Sequence, residues 1–387
     1  MEDILKTIGK NIKKLMDMEG ISMRALSDVI GVKHPTLSSY ISGESAIDSA
    51  KLFTLAEYFH VDFDDFFKDD IAECALLFRA DNPAENINDN ERNVIYNKIR
   101  SYIDIVGEGQ FIAYIPQNYN LKIESKRISK DEDIAIKRIA KDQRKMMGIE
   151  SIIPDNYYNV FADNNINVMA FSMDNGSLFG CSSIDKNFGS LIYVNTSESI
   201  SEERQLFSLC HEYAHLLFHR DDYSKDPGAT DYRSYREDIR EKLADRFAGY
   251  FLIPEDILKE RLGEDEYKGE KGIKVAALKH YFKVSYSSLV IALHNYGIIS
   301  DFTYRQIYKQ IMAMGYDRHE PAPLPRANGI EKNHNLIAAM KVKYLSDEIS
   351  SGKIKELLGI DNESVRNLIR SWNAQEDKQD EIETIQI

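Results

Sequence analysis

His211 and His215 stand four residues apart with Glu212 between them, inside Gln205-Leu-Phe-Ser-Leu-Cys-His-Glu-Tyr-Ala-His-Leu-Leu-Phe-His219. Residues at that spacing lie one above the other on an α-helix, so both imidazoles can reach a single ion from one rigid element. Glu212 then points toward the same cleft without ligating, where a base must sit to take a proton from a metal-activated water. Leu206, Leu209, Leu216 and Leu217 can seat this helix against a core. Read blandly, the pentapeptide is a buried helix whose histidines hydrogen-bond and bind nothing.

A catalytic zinc site takes three protein ligands and leaves a position open, so a third donor should follow on another element. Glu241 lies 26 residues beyond His215 on the next helix that periodicity predicts, about 237–252, with Ala244, Asp245 and Ala248 on its face. The spacing lets that helix turn back, and the alanines let the two helices approach. Asp245 can accept the free ring N–H of a ligating histidine, as metal-bound histidines usually require. His219 competes for a ligand role but lacks the glycine of the longer histidine pattern, and reads as a supporting or structural residue. Neither Tyr213 nor His219 is assigned by spacing to oxyanion stabilisation.

The segments Ser201–His219 and Glu241-Lys-Leu-Ala-Asp-Arg-Phe-Ala-Gly-Tyr-Phe-Leu-Ile-Pro254 together resemble the ImmA/IrrE family of metallopeptidases. In that family the second segment reads E-x-x-A-N-x-F-A and ends in proline. The resemblance implies Zn2+ as cofactor, His211, His215 and Glu241 as its ligands and Glu212 as the catalytic base. Asp245 departs from the usual asparagine, while Arg204 and Phe207 fit the pattern without an assigned role.

Upstream, Ala25-Leu-Ser-Asp-Val-Ile-Gly31-Val-Lys-His-Pro-Thr-Leu-Ser-Ser-Tyr-Ile-Ser-Gly43 has a small residue in a first helix, a glycine turn, and Val32, Leu37 and Ile41 to pin a second helix across it. It resembles the Cro/C1 repressor type. Pro35 suits the first turn of the second helix and leaves Lys33, His34, Thr36 and Ser39 as candidates to face DNA. Residues 1–60 carry seven basic against eight acidic side chains, and the second helix has no arginine for bidentate guanine contact. Weak DNA affinity, or a need for a dimer, follows; the alternative is an interaction domain that kept the fold and lost the DNA.

The rest of the chain sorts around these two signals. Its 387 residues are too many for one ordinary core, and 43% hydrophobic with 29% charged residues is ordinary for folded protein. A net charge of −14 disfavours non-specific binding to nucleic acid, so any DNA contact must be local. The N-terminus lacks a secretory pattern, no stretch is apolar enough to span a bilayer, and three scattered cysteines suggest no disulfide framework; a cytoplasmic protein without membrane contact is expected.

Residues 62–70 are acidic but carry Phe63, Phe66 and Phe67, so they read as the closing edge of the first domain. Ala75–Val106 reads as helical, broken by a loop at Asn82-Pro83 and Asn88–Asn90, and a further helix is expected from about Ile128. Ile166–Phe171, Leu178–Cys181 and Leu191–Val194 are strand candidates, the last a candidate edge for an extended substrate. Pro254 reads as a helix stop. Helices are expected over 275–282 and 286–296, then a Pro-rich linker at Glu320-Pro-Ala-Pro-Leu-Pro and helical segments over 336–349, 354–358 and 365–372. Ser346–Gly359 reads either as a second recognition element or as a packing extension, and no internal repeat at a fixed period is found.

The expected fold class is α+β and mainly helical: an N-terminal all-α helix-turn-helix domain, a zincin-like metallopeptidase domain with a small sheet, and a C-terminal helical module. The expected divisions are 1–70, a connector over 71–125, the metallopeptidase domain over 126–260, a helical extension over 261–325, and the module over 326–387 with a disordered acidic tail. The resemblance extends from residue 5 to about residue 325, through Leu77-Phe-Arg-Ala80, and is to fused regulator-peptidases. It implies an endopeptidase that cleaves a repressor or antitoxin-like protein, with DNA as a partner of the first domain and a homodimer compatible with it. The alternatives are a DNA-binding regulator with a structural or silent metal site, and an adaptor in which both modules only bind partners.

Overall fold

The computed structural model describes residues 2–18, 21–59, 61, 63–67, 76–80, 89–107, 113–123, 125–153, 156–173, 178–185, 189–220, 239–264, 268–269, 272–316 and 319–385. The chain divides into two units, one of residues 1–74 with 88–101 and one of residues 75–87 with 102–387.

In the first unit, α1 (Glu2–Met18), α2 (Met23–Val29), α3 (His34–Ile41) and α4 (Ser49–Phe59) precede a short 3-10 turn at Phe63–Phe67. Ile8, Ile12 and Leu15, at helical spacing, meet Leu26, Leu37, Leu52, Leu55 and Phe66 in one core. Ser22 caps α2 through Ala25 N at 3.2 Å, and Gly31 takes φ +65°, which an L side chain resists, to aim α3 across α2. The small buried residue of α2 is Ser27, whereas Ala25 faces outward. Asn11 donates to the Phe66 carbonyl at 3.0 Å, which ties the 3-10 turn to α1. Asp62 and residues 68–70 of the acidic stretch lie outside the described residues.

The second unit is built on a four-stranded sheet of order β1-β3-β4-β2: β1 (Leu76–Ala80), β2 (Asn167–Phe171), β3 (Leu178–Asp185) and β4 (Gly189–Asn195). β1–β3 and β3–β4 are antiparallel, β2–β4 parallel. β1 replaces the start of the expected helical stretch at Ala75, because the β3 edge offers hydrogen bonds that no local periodicity announces; the loop expected at Asn82-Pro83 falls outside the described residues. All of β4 is buried and paired on both sides, so Leu191–Val194 is not an edge, contrary to the sequence reading.

Three helices hold the site against this sheet. After α5 (Asp89–Val106), α6 (Lys130–Met146) begins with a full capping box between Ser129 and Glu132. α7 (Tyr157–Asp163) leads into β2, α8 (Glu202–Phe218) packs on β3 and β4, and α9 (Ile239–Leu252) packs on α8 and α6. Pro254 ends α9 and at the same time opens α10 (Glu255–Leu262). α11 (Val275–Phe282) and α12 (Tyr286–Asn295) contribute Leu278, Phe282, Leu289 and Leu293 to the same core as Leu209, Ala244 and Phe251.

After α13 (Asp301–Met314), the Pro-rich segment is tied down where a free linker was expected. Lys279 Nζ donates to the carbonyls of Pro321 (3.1 Å) and Ala322 (2.8 Å), and Arg326 donates to that of Ile200 (3.0 Å). Prolines give up no donor the segment needs, while the carbonyls of Pro321 and Ala322 find the buried ammonium of Lys279. Beyond it stand α14 (His334–Leu345), α15 (Ser351–Leu358) and α16 (Asn362–Ile385). α16 runs through the tail that was expected to be disordered, since Glu, Gln and Lys are all good helix formers. No helix among the described residues is long and apolar enough to cross a membrane.

A methyl group at Gly9 would overlap the Ile41 carbonyl oxygen and stand 2.6 Å from that of Tyr40. Gly9→Ala should therefore lower the stability of the first unit by about 1–3 kcal/mol despite alanine's higher helix propensity, measured by chemical denaturation; a gain in stability would show that α1 and α3 are not so closely packed.

Candidate metal centre

Every residue of α8 except Arg204 and Phe207 is buried. Its first turn carries Glu202 and Glu203, favourable at a helix N-terminus but costly to bury without partners. Both have a buried lysine: Lys332 Nζ lies 2.6 Å from Glu202 Oε2 and 2.7 Å from Gln205 Oε1, and Lys279 Nζ lies 2.7 Å from Glu203 Oε1. Glu320 shares Lys279 at 3.0 Å, and burial pushes its carboxyl above the usual carboxylate range. Burial likewise pulls the Lys332 ammonium down, against the pull of Glu202.

About two turns further on, the ring centroids of His211 and His215 stand 5.3 Å apart, both side chains nearly covered. α9 brings Glu241 beside them, with Oε2 3.6 Å from His211 Nε2. One ligand atom from each of His211, His215 and Glu241 lies within 4.8 Å of the others. Two imidazoles and a carboxylate at this separation suit zinc, whose ligands at about 2.0–2.2 Å in a tetrahedron stand roughly 3.4 Å from each other.

The opposite ring nitrogens are also engaged. His211 Nδ1 lies 2.7 Å from Asp245 Oδ1, one helical turn along α9 from Glu241. His215 Nδ1 lies 2.6 Å from His219 Nδ1, so one ring donates and the other accepts. Glu212 is buried beside them, and Ser182 Oγ of β3 donates to its Oε2 at 2.6 Å. Gly180, two residues back on the same face of β3, leaves room for Glu212: a Cβ there would be 3.3 Å from Glu212 Cγ and 2.8 Å from the Tyr193 carbonyl oxygen.

Other residues singled out in the sequence fall around this group. Arg204 lies over the Phe179 ring at 4.1 Å, and the Phe207 and His211 rings are 6.1 Å apart. Tyr213 turns into the core, where its hydroxyl donates to Gln143 Oε1, and burial raises its pKa. It is therefore remote from the cleft that His211 and Glu212 share. Cys181 and Cys210 are buried, and Cys74 lies outside the described residues. In the first unit, Lys33, His34 and Thr36 are exposed at the start of α3 and Ser39 is half-buried.

Ser182 went unread in the sequence, because a contact spanning thirty residues between strand and helix leaves no local signature. Gly180 did leave one: a glycine between Phe179 and Cys181 within a strand marks a close approach by another group.

Residues 163–294 match the model of the peptidase family described as IrrE N-terminal-like domain, and residues 12–66 match the one described as helix-turn-helix. The chain thus joins a Cro/C1-type helix-turn-helix domain to an IrrE N-terminal-like domain. Search of curated proteins gives no significant match.

Tyr213→Phe should cost about 1–2 kcal/mol, since it strips the buried Gln143 oxygen of a donor, and should leave metal binding intact. Thermal denaturation alongside zinc titration checks this; loss of zinc affinity with unchanged stability would place the hydroxyl in the site after all.

Proposed function

We propose that the chain is a zinc-dependent endopeptidase and regulator that cleaves a specific repressor or antitoxin-like protein. The observation that carries this reading is the convergence of His211, His215 and Glu241 next to the buried carboxylate of Glu212. In the same reading Asp245 accepts the Nδ1–H of His211, and His219 accepts that of His215, which leaves both Nε2 atoms as ligands in neutral rings. Zinc held there would supply Lewis acidity toward a peptide carbonyl and toward water.

Glu212 is the general base. With Oε2 engaged by Ser182, it turns Oε1 to the attacking water, takes its proton and returns it to the leaving amine. Attack by water needs no nucleophile from the protein, and the buried thiol of Cys210, its pKa raised by burial, is not a competitor for that role. The helix-turn-helix domain supplies recognition, with Lys33, His34, Thr36 and Ser39 as the side chains placed to meet DNA. The identity of the substrate class rests on the resemblance of residues 201–219 and 241–254 described above.

Purified wild type should hold about one zinc per chain, and H211A and E241A little or none, by elemental analysis after removal of loosely bound metal. Wild type that neither contains zinc nor takes it up would end the peptidase reading. E212Q should keep the zinc yet lose cleavage, and so retain an uncut partner that wild type releases as fragments. If E212Q and wild type leave the same partner intact, the site is silent and the chain acts as a regulator through binding alone.

A further inference from the structure

The C-terminal module repeats the geometry of the N-terminal helix-turn-helix feature by feature. In the first unit, Ser22 caps α2 by accepting from the backbone N–H three residues on at 3.2 Å. Leu26 is fully buried, Gly31 has φ +65°, α3 starts at His34 and Leu37 is fully buried. In the module, Ser350 caps α15 by accepting from Lys353 N at 3.2 Å. Ile354 is fully buried, Gly359 has φ +64°, α16 starts at Asn362 and Val365 is buried. Each feature of one lies at the same interval from its serine as in the other. Only Ser, Gly and a late Ile are identical between 22–41 and 350–369, which is why no repeat is visible in the sequence.

The shared spacing has a physical basis. A left-handed glycine ends the first helix and swings the chain through a tight turn, and one buried apolar residue on each side of it locks the two helices at a fixed crossing. A third helix is needed to cover that pair, and α14 provides it, with Tyr344 and the buried Trp372 of α16 at 6.0 Å between ring centroids.

The outward faces of the two second helices differ. α3 has no arginine. On α16, Val365, Leu368, Ile369 and Trp372 face inward, and Arg366, Asn367 and Arg370 are exposed together on the opposite side, one helical turn in from its start. Arginine matches the O6/N7 edge of guanine and asparagine the N6/N7 edge of adenine in the major groove. The amino end of α15, at Ser351 and Gly352, lines one groove with Asn362, Arg366 and Arg370, an arrangement that suits the phosphate contacts made by the first helix of such motifs. Residues 334–372 carry six basic and five acidic side chains within a chain of net charge −14, so this stretch is close to neutral where the chain as a whole repels phosphate.

We infer that residues 334–374 form a second helix-turn-helix that binds double-stranded DNA, with α16 as its recognition helix and Arg366, Asn367 and Arg370 reading bases in the major groove. The inference is independent of peptidase activity.

The test is selection of the full-length chain against a pool of random-sequence duplexes, followed by affinity measurements on the enriched sequence over a series of salt concentrations. R366A/R370A should bind that duplex at least about tenfold more weakly, with a salt slope reduced by about two at most. The loss should persist in a K33A/H34A background, which separates this motif from the N-terminal one. N367A leaves the charge unchanged and should relax sequence preference with little change in salt slope. Failure of wild type to enrich any duplex, or R366A/R370A binding within twofold of wild type while its circular dichroism is unchanged, overturns the assignment.

Discussion

The buried position of α8 is the constraint around which the second unit is organised. A helix covered on nearly every side must satisfy its polar groups internally, and the unit does so from three directions. Lys279 and Lys332 neutralise Glu202 and Glu203 at its amino end, Ser182 of β3 holds Glu212 at its centre, and Asp245 and Glu241 of α9 meet His211. Remove the lysines and the first turn holds uncompensated buried carboxylates, a change that typically costs several kcal/mol. The C-terminal strap at residues 320–326 thereby becomes part of the scaffold that fixes the histidines.

A third buried cation ties the remaining helices together. Arg144 of α6 donates to the carbonyl of Phe251 at 2.6 Å and to that of Ser151, bridging α6 to the end of α9, and burial pulls its pKa down to about 10. Gln143 beside it links Tyr119 and Tyr213. Polar groups of this kind hold α6, α8 and α9 in one register, and that register is what brings Glu241 to within 3.6 Å of His211. Rigid support behind ligands is what a zinc site requires to keep its geometry without the ion dictating it.

The sheet has a different task. Gly180 and Ser182 put one small and one polar residue on the β3 face that meets α8, and bulk at either position would displace Glu212. The two outer strands are β1 and β2. At β2, Asn333 imitates a neighbouring strand by accepting from Ala170 N at 2.9 Å and donating to its carbonyl at 2.8 Å. The C-terminal module is thus joined to the unit by a side chain acting as backbone, and a binding motif there sits on a fixed platform.

The helices of the site, its ligand candidates and the first helix-turn-helix were legible because they depend on local rules: i, i+4 spacing for His211 and His215, an apolar period of 3.6 through α8 and α9, a capped helix and a glycine turn before α3. Those rules concern residues within one or two turns of each other, so the amino-acid order alone determines them. The strand β1, the internal place of Leu191–Val194, the contact of Ser182 with Glu212 and the anchoring of the Pro-rich strap depend on partners about two dozen to more than a hundred residues away. The second helix-turn-helix lies between these cases. Its spacing is written in the chain, but only burial of Ile354 and Val365 and the left-handed turn at Gly359 distinguish it from an ordinary amphipathic tail, because apolar period and glycine are shared by both until packing shows which face is inside.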